Sequence, residues 1–282
     1  MMNGIDIIDI KEKNIKGAYV IDGFPSVGLV GSIVANYLVS FLKLEQIAMV
    51  DSVYFPTISL IRDELPLSPV RVYAGAFGSK GQEKIVVFVS EFQPAQEILK
   101  PLAITMMDWA EDHKCKMIIS PEGLLTREET ERLEAMAMAS KNLEMAAYEP
   151  VSAPKKEAQN GEIIVYGVAS TASAREMLKK NDVKPFENGV ISGLAGVLLN
   201  EGVARDFDVA TLLSEAHTDY PDARAAAAIM TVIDRLLLHV ELDLKPLLKE
   251  AALIEETLKE IHSKAATEEE TGKKKSTNVM YS

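Results

Sequence analysis

The chain has 282 residues, of which 48% are hydrophobic, so it can form the core of one large domain or of two small ones. Its formal net charge of −12 repels phosphate backbones and anionic lipids, so neither nucleic acid nor a membrane surface is predicted as a partner. The single cysteine, Cys115, can form neither an internal disulfide nor a two-thiol metal site, and it indicates a reducing, cytoplasmic location.

Residues 1–17 mix acidic with basic side chains and lack the apolar run of a signal peptide. The longest apolar stretch, residues 29–42, is interrupted by polar residues and is too short to cross a bilayer. It therefore predicts a buried helix.

Short runs rich in β-branched residues alternate with longer helical patterns along the chain. Strands are predicted at residues 18–22, 47–50, 70–74, 84–89, 116–120 and 162–166. Helices are predicted over residues 94–113 and from the capping box at Thr126 to about residue 140. A third helix is predicted to begin near Pro221 and to extend to about Val240. This alternation predicts one α/β domain over residues 1–242, with a mostly parallel sheet in a three-layer α/β/α sandwich.

The pattern changes after Leu242. Residues 243–263 carry apolar positions at alternating spacings of three and four, which predicts a C-terminal helix that packs either on its own domain or on another copy of the chain. Residues 264–282 are charged and nearly free of apolar side chains, so they predict a flexible tail.

The last three residues, Met280-Tyr281-Ser282, depart from this polar composition. They are similar to the hydrophobic-Tyr-X signature with which proteasome activators and assembly factors engage the proteasome core particle. A terminal carboxylate can pair with a buried lysine, while the tyrosine ring and its apolar neighbour fill a groove. We therefore interpret these three residues as a partner-binding site.

A glycine-rich segment follows the first predicted core strand. Gly23, Ser26, Gly28 and Gly31 lie where a strand turns into a helix, a position at which backbone N–H groups can cradle an anion or another ligand. The segment lacks the lysine of a P-loop, so nucleotide hydrolysis is not predicted. Close packing of the helix on the sheet is the favoured interpretation of these glycines, and the ligand loop is the alternative.

His217 is the strongest candidate for acid-base chemistry, because carboxylates at Glu215, Asp219 and Asp222 accompany it. The sequence lacks a G-x-S-x-G elbow and a second histidine at metal-ligand spacing, so neither a catalytic site nor a metal site is predicted. A structural role is favoured for this cluster, with Asp219 as a helix cap.

Five segments together resemble the proteasome assembly chaperone 2 family, especially its archaeal members: residues 23–38, 69–75, 90–94, 191–199 and 215–224. The resemblance extends over nearly all of residues 1–240. It implies a phosphorylase/hydrolase-like α/β/α fold, self-association into small rings or tetramers, and C-terminal tails offered to the proteasome α-ring. No cofactor is predicted.

The predicted function is therefore that of a proteasome-binding assembly chaperone or adaptor without enzymatic activity. Its predicted partners are proteasome α-subunits and further copies of this chain or of a paralogue. The alternative is a small-ligand binder or hydrolase/phosphorylase-like enzyme that uses a cleft near Gly23, Gly31 and His217. A third hypothesis is a structural oligomer whose tail has no function.

Overall fold

The computed structural model describes residues 4–78, 83–125, 163–240 and 242–249. Residues 1–242 form one compact unit, and residues 243–282 form a second. Three sequence-based predictions lie outside the described residues: the helix that begins at Thr126, most of the helix over residues 243–263, and the tail over residues 264–282.

A nine-stranded mixed sheet forms the centre of the larger unit, with strands in the order β1-β3-β6-β7-β2-β8-β11-β9-β10. Its strands are β1 (Ile5–Asp9), β2 (Tyr19–Gly23), β3 (Glu45–Ser52), β6 (Val70–Phe77), β7 (Glu83–Ser90), β8 (Met117–Leu125), β9 (Val165–Ala169), β10 (Lys184–Pro185) and β11 (Val209–Ala216). A separate hairpin consists of β4 (Leu60–Arg62) and β5 (Leu65–Leu67).

The four central strands, β7, β2, β8 and β11, run parallel to one another, whereas β1, β3 and β6 on one side and β9 on the other join through antiparallel pairs. The central strands are apolar along nearly their whole length, because both faces of the sheet are covered. The carboxyl ends of these four strands form one edge, which is called the carboxyl edge below.

Helices cover both faces of the sheet, which confirms the three-layer α/β/α sandwich. They are α1 (Val30–Phe41), α2 (Gln96–Asp112), α3 (Ala172–Lys180), α4 (Gly193–Arg205) and α5 (Ala223–Ile233). On one face α2 and α4 pack together, and the buried rings of Phe88 and Trp109 meet edge to face with centroids 5.6 Å apart. On the other face α1 packs beside α5. Trp109 and Cys115 both belong to this core, since both side chains are buried.

Within the described residues, no helix combines the length and the apolar character that crossing a bilayer requires.

Candidate functional site

The loop between β2 and α1 lies at the carboxyl edge and packs closely on the strands beneath it. Gly28 adopts a left-handed conformation with φ of 61°, and a Cβ atom there would lie 2.9 Å from the carbonyl oxygen of His217. A Cβ on Gly31 would lie 2.5 Å from the Phe24 carbonyl oxygen. Only residues without side chains fit these approaches, so each glycine permits close packing.

The backbone N–H groups at the start of α1 are bonded within the loop itself. Leu29 donates to the carbonyl oxygen of Ser26 at 2.9 Å, and Val30 donates to that of Val27. Gly31 donates to the Ser26 hydroxyl at 3.0 Å. These bonds favour the packing interpretation of the glycine-rich segment, because donors engaged in the loop do not face a ligand. A ligand role for Gly23, Ser26, Gly28 and Gly31 stays a prediction.

His217 and Asp222 form a hydrogen-bonded pair just beyond the end of β11. The distance from Nδ1 of His217 to Oδ2 of Asp222 is 2.8 Å, and the backbone N–H of His217 donates to the same oxygen at 3.2 Å. Asp222 is buried, whereas the His217 side chain is 42% exposed and stacks on Tyr220. An exposed imidazole oriented by a buried carboxylate is an arrangement that can transfer protons.

Asp222 also has a structural role, because its other oxygen accepts hydrogen bonds from the N–H groups of Arg224 and Ala225 at the start of α5. The helix cap is thus Asp222, and the prediction that Asp219 caps this helix is wrong. Burial raises the pKa of Asp222, but the hydrogen bonds from Ala225 and His217 outweigh it, so the net pKa is lowered. Asp222 is therefore ionised at neutral pH.

A second polar group lies inside the sandwich, on the face covered by α2 and α4. Asp22 is the next-to-last residue of β2 and is 2% exposed. It accepts hydrogen bonds from the Phe24 backbone at 3.1 Å and from the Ser120 hydroxyl at 3.0 Å. Burial raises the pKa of Asp22 to about 6, although both hydrogen bonds oppose the shift. Burial and the nearby charge of Asp22 raise the pKa of Glu122 on β8 well above its usual range.

We predict that the free energy of unfolding falls as the pH rises from about 4 to about 6. Since the pKa of Asp22 rises from 3.8 to about 6 on folding, the folded protein binds more protons than the unfolded chain in this window. A difference of this size corresponds to about 3 kcal/mol across the window. Urea denaturation on both sides of the window measures it. Asp22→Asn, which does not titrate, should show a flatter profile, and an identical profile would contradict the assignment.

Two further titratable side chains, Glu91 and Cys115, belong to neither of these groups. Glu91 pairs with the buried Arg71 and, at 3.0 Å, with Arg62, so it belongs to an ion-pair cluster near β6. Burial raises the pKa of the Cys115 thiol to about 12, which removes it as a nucleophile. Among the described residues, no group of three His, Cys, Asp or Glu side chains is placed to hold a metal ion. Met280, Tyr281 and Ser282 lie outside the described residues.

Comparison with known proteins gives matches over nearly the whole chain. The model of the PAC2 family matches residues 20–262. An uncharacterized protein of Methanocaldococcus jannaschii is 24% identical over 261 residues, which cover 93% of this chain and 92% of that protein.

Two solved structures from Pyrococcus furiosus have the same fold. PbaA, described as an archaeal homolog of proteasome-assembly chaperone, superposes with a TM-score of 0.70 at 24% identity and covers 98% of this chain and 100% of its own. PbaB, described as an archaeal proteasome activator, superposes with a TM-score of 0.72 at 22% identity and covers 93% of this chain and 100% of its own.

Proposed function

This chain belongs to the PAC2 family, and from that membership we propose that it binds the proteasome core particle as an assembly chaperone or adaptor. Two observations support the proposal together. The fold is shared with PbaA and PbaB, whose descriptions connect them with proteasome assembly and activation. The sequence Met280-Tyr281-Ser282 has the hydrophobic-Tyr-X pattern.

The proposed contact is made by residues 280–282 in a pocket between neighbouring α-subunits. The Tyr281 ring supplies a large apolar surface with one hydroxyl, Met280 fills an adjoining groove, and the Ser282 carboxylate pairs with a pocket lysine. The polar residues 264–279 act as the tether. About 15 residues of such a tether span roughly 20 Å, enough to reach a pocket beyond the body that carries it.

One short peptide binds weakly, so we propose that several copies of the chain bind together. Large apolar side chains are exposed throughout residues 53–65, where Val53 is 80% exposed, Ile61 66% and Leu65 63%. Tyr54 and Ile58 in the same segment are exposed as well. Exposed apolar surface of this kind is typical of protein contacts. We assign this segment, called the hairpin segment below, to the contact between copies.

The double variant Ile61→Glu, Leu65→Glu is expected to be monomeric, because two carboxylates in an apolar contact would have to be desolvated without partners. Mass photometry of the protein alone measures the change. Val203→Glu is the matched control, since Val203 is 65% exposed on α4 and far along the chain from the hairpin segment. If the double variant keeps the oligomeric mass of the original protein, the hairpin segment is not the contact.

The proposed function is tested by capture of purified proteasome core particle on immobilised protein. The full chain should retain the core particle, and a chain without residues 280–282 should not. Equal capture by both would refute docking through the tail. The variant Ile61→Glu, Leu65→Glu keeps its tail. If it is monomeric and captures no core particle, binding depends on several tails acting together.

One observation favours the alternative of a small-ligand binder or enzyme. The 2.8 Å contact between His217 and the buried Asp222 at the carboxyl edge provides a proton-transfer pair where ligands bind in many α/β folds. No described serine or cysteine bonds to the His217 ring, so the pair lacks a nucleophile among the described residues.

A metabolite screen by thermal shift separates the two functions. A compound that raises the melting temperature of the original protein but not that of His217→Ala would support the alternative. His113→Ala is the control, because the His113 ring bonds to the Trp109 carbonyl oxygen away from the carboxyl edge. A screen without any such compound, together with tail-dependent capture, would support the proteasome-binding function.

A further inference from the structure

The hairpin segment ends in a tight β-hairpin formed by β4 and β5. Its two turn residues, Asp63 and Glu64, both have left-handed φ angles, of 49° and 66°, which is the geometry of a type I′ hairpin turn. Among the described strands, β4 and β5 pair only with each other. A two-stranded hairpin is marginally stable on its own in water, so this one depends on further contacts.

The body of the domain supports one face of the hairpin segment. Arg62 donates to the Glu91 carboxylate at 3.0 Å, and Glu91 also pairs with a buried arginine on β6. Earlier in the segment, the ring of Phe55 meets that of Phe92 edge to face, with centroids 5.0 Å apart. Side chains alternate between the two faces of a strand, so Ile61 projects away from the face on which Arg62 meets the body. The hairpin is thus held on one face and exposed on the other.

The register shows which backbone groups the hairpin leaves at its edges. Arg62 and Leu65 flank the two-residue turn and form the hydrogen-bonded pair, so Ile61 and Pro66 form the next, non-hydrogen-bonded pair. The N–H and C=O groups of Ile61 therefore point away from β5, along the outer edge of β4. Pro66 has no N–H to offer at the matching place on β5. Only the β4 edge presents both a donor and an acceptor at the middle of the hairpin.

The charge pattern favours a second copy of this chain as the partner of the β4 edge. Two copies that each carry a net charge of −12 repel one another wherever carboxylates face carboxylates. Residues 53–62 contain no Asp or Glu, although the chain has 42 acidic residues. The same stretch exposes several large apolar side chains, among them Val53, Tyr54 and Ile61. It is therefore a surface on which two like-charged molecules can meet.

We propose that β4 of one copy pairs with β4 of a second copy, antiparallel and about a two-fold axis at Ile61. The inference rests on the proposed assignment of the hairpin segment to the contact between copies. The N–H of each Ile61 then donates to the C=O of Ile61 in the other copy, and the two hairpins become one four-stranded sheet. Arg62 faces Leu60 of the other copy and Asp63 faces Ser59, so no like charges are opposed. An axis at Arg62 would instead place the two arginines opposite each other.

Disulfide cross-linking of the full-length variant Ile61→Cys tests the position of the axis. Hydrogen-bonded antiparallel partners have Cα atoms about 5.5 Å apart, within the range of a disulfide. The single native cysteine, Cys115, is buried, so it does not compete. On oxidation with copper phenanthroline, Ile61→Cys should form a covalent dimer at least 10-fold faster than the control Val203→Cys. The two positions are equally exposed, at 66% and 65%, and equal rates would overturn the proposal.

Ile61→Pro separates strand pairing from side-chain contact. Its missing N–H is not one that bonds to β5, so the hairpin should persist, as it does with Pro66 at the facing position. Ile61→Ala is the matched variant, because it also loses the large side chain but keeps the N–H. Sedimentation equilibrium should show self-association of Ile61→Pro weaker than that of Ile61→Ala by about 10-fold, since two symmetric hydrogen bonds are lost.

Equal association of these two variants would overturn the strand pairing. If the variant Ile61→Glu, Leu65→Glu were nevertheless monomeric, the hairpin segment would remain the contact and only the pairing would fail. If that double variant kept its oligomeric mass, the proposed contact itself would fail. Capture of the proteasome core particle through residues 280–282 is measured separately and depends on neither result.

Discussion

Tyr281→Ala is expected to lower the affinity for the proteasome core particle by about 100-fold or more, to the level of a chain without residues 280–282. A buried tyrosine at the centre of a contact commonly contributes 2 kcal/mol or more to binding. When several tails bind one particle, each tail loses this contribution, so the losses multiply. Biolayer interferometry with immobilised core particle measures the effect.

Two further tail variants make this result specific. Tyr281→Phe keeps the ring and removes only the hydroxyl, so its loss should be intermediate, roughly 10-fold for a satisfied buried hydroxyl. Asn278→Ala changes the tether outside the motif and should bind normally. Normal binding by Tyr281→Ala would show that the protein reaches the proteasome by another surface, or not at all.

Gly23→Ala is expected to destabilise the protein by about 4 kcal/mol or more, enough to prevent folding of many domains. The added Cβ would lie 2.2 Å from the Cβ of Ala35 on α1 and 2.2 Å from the carbonyl oxygen of Phe88 on β7. The carbonyl belongs to a central strand paired with β2, so it cannot move without breaking the sheet. Overpacking that shifts backbone in this way is among the severe classes of core change.

Gly17→Ala is the matched control, because a Cβ at Gly17 meets no atom within 4 Å. Gly17 has a positive φ of 79°, so this variant should lose about 1 to 2 kcal/mol from backbone strain alone. Combining Gly23→Ala with Ala35→Gly removes one of the two clashes and should restore only part of the stability. Urea denaturation of the three variants gives the comparison, and a loss for Gly23→Ala no larger than that for Gly17→Ala would contradict the steric argument.

Five strands and the longest helix could be predicted from the sequence because their patterns are local. Runs of β-branched residues located β2, β3, β6, β7 and β8, and the apolar stripe over residues 94–113 located α2 at Gln96–Asp112. The strand β1 was missed, since its run of isoleucines alternates with Asp6 and Asp9 and lies next to a polar segment. Strand β11 was missed as well, although it is one of the four central strands, and so were helices α3 and α4.

Strand order could not be read from the chain, and the candidate sites show why this matters. His217 and Asp222 are close in sequence, so the sequence already suggested them as one cluster. Asp22 and Ser120 are 98 residues apart and meet only because β2 lies beside β8. Thr211 on a third strand, β11, is the register partner of Ser120 and is buried as well. Long-range pairing of this kind is decided by the tertiary fold and leaves no periodic signal.

The two-residue strand β10 has a consequence for how copies of this protein can meet. Among the described strands it lies at one outer edge of the sheet. It contains Lys184, which is charged, and Pro185, which has no backbone N–H. A neighbouring molecule that tried to add its own strand there would find almost no donors to bond with and a positive charge to desolvate. Growth of one sheet into the next, the route to fibrous deposits, is thereby obstructed at this end of a nine-stranded sheet.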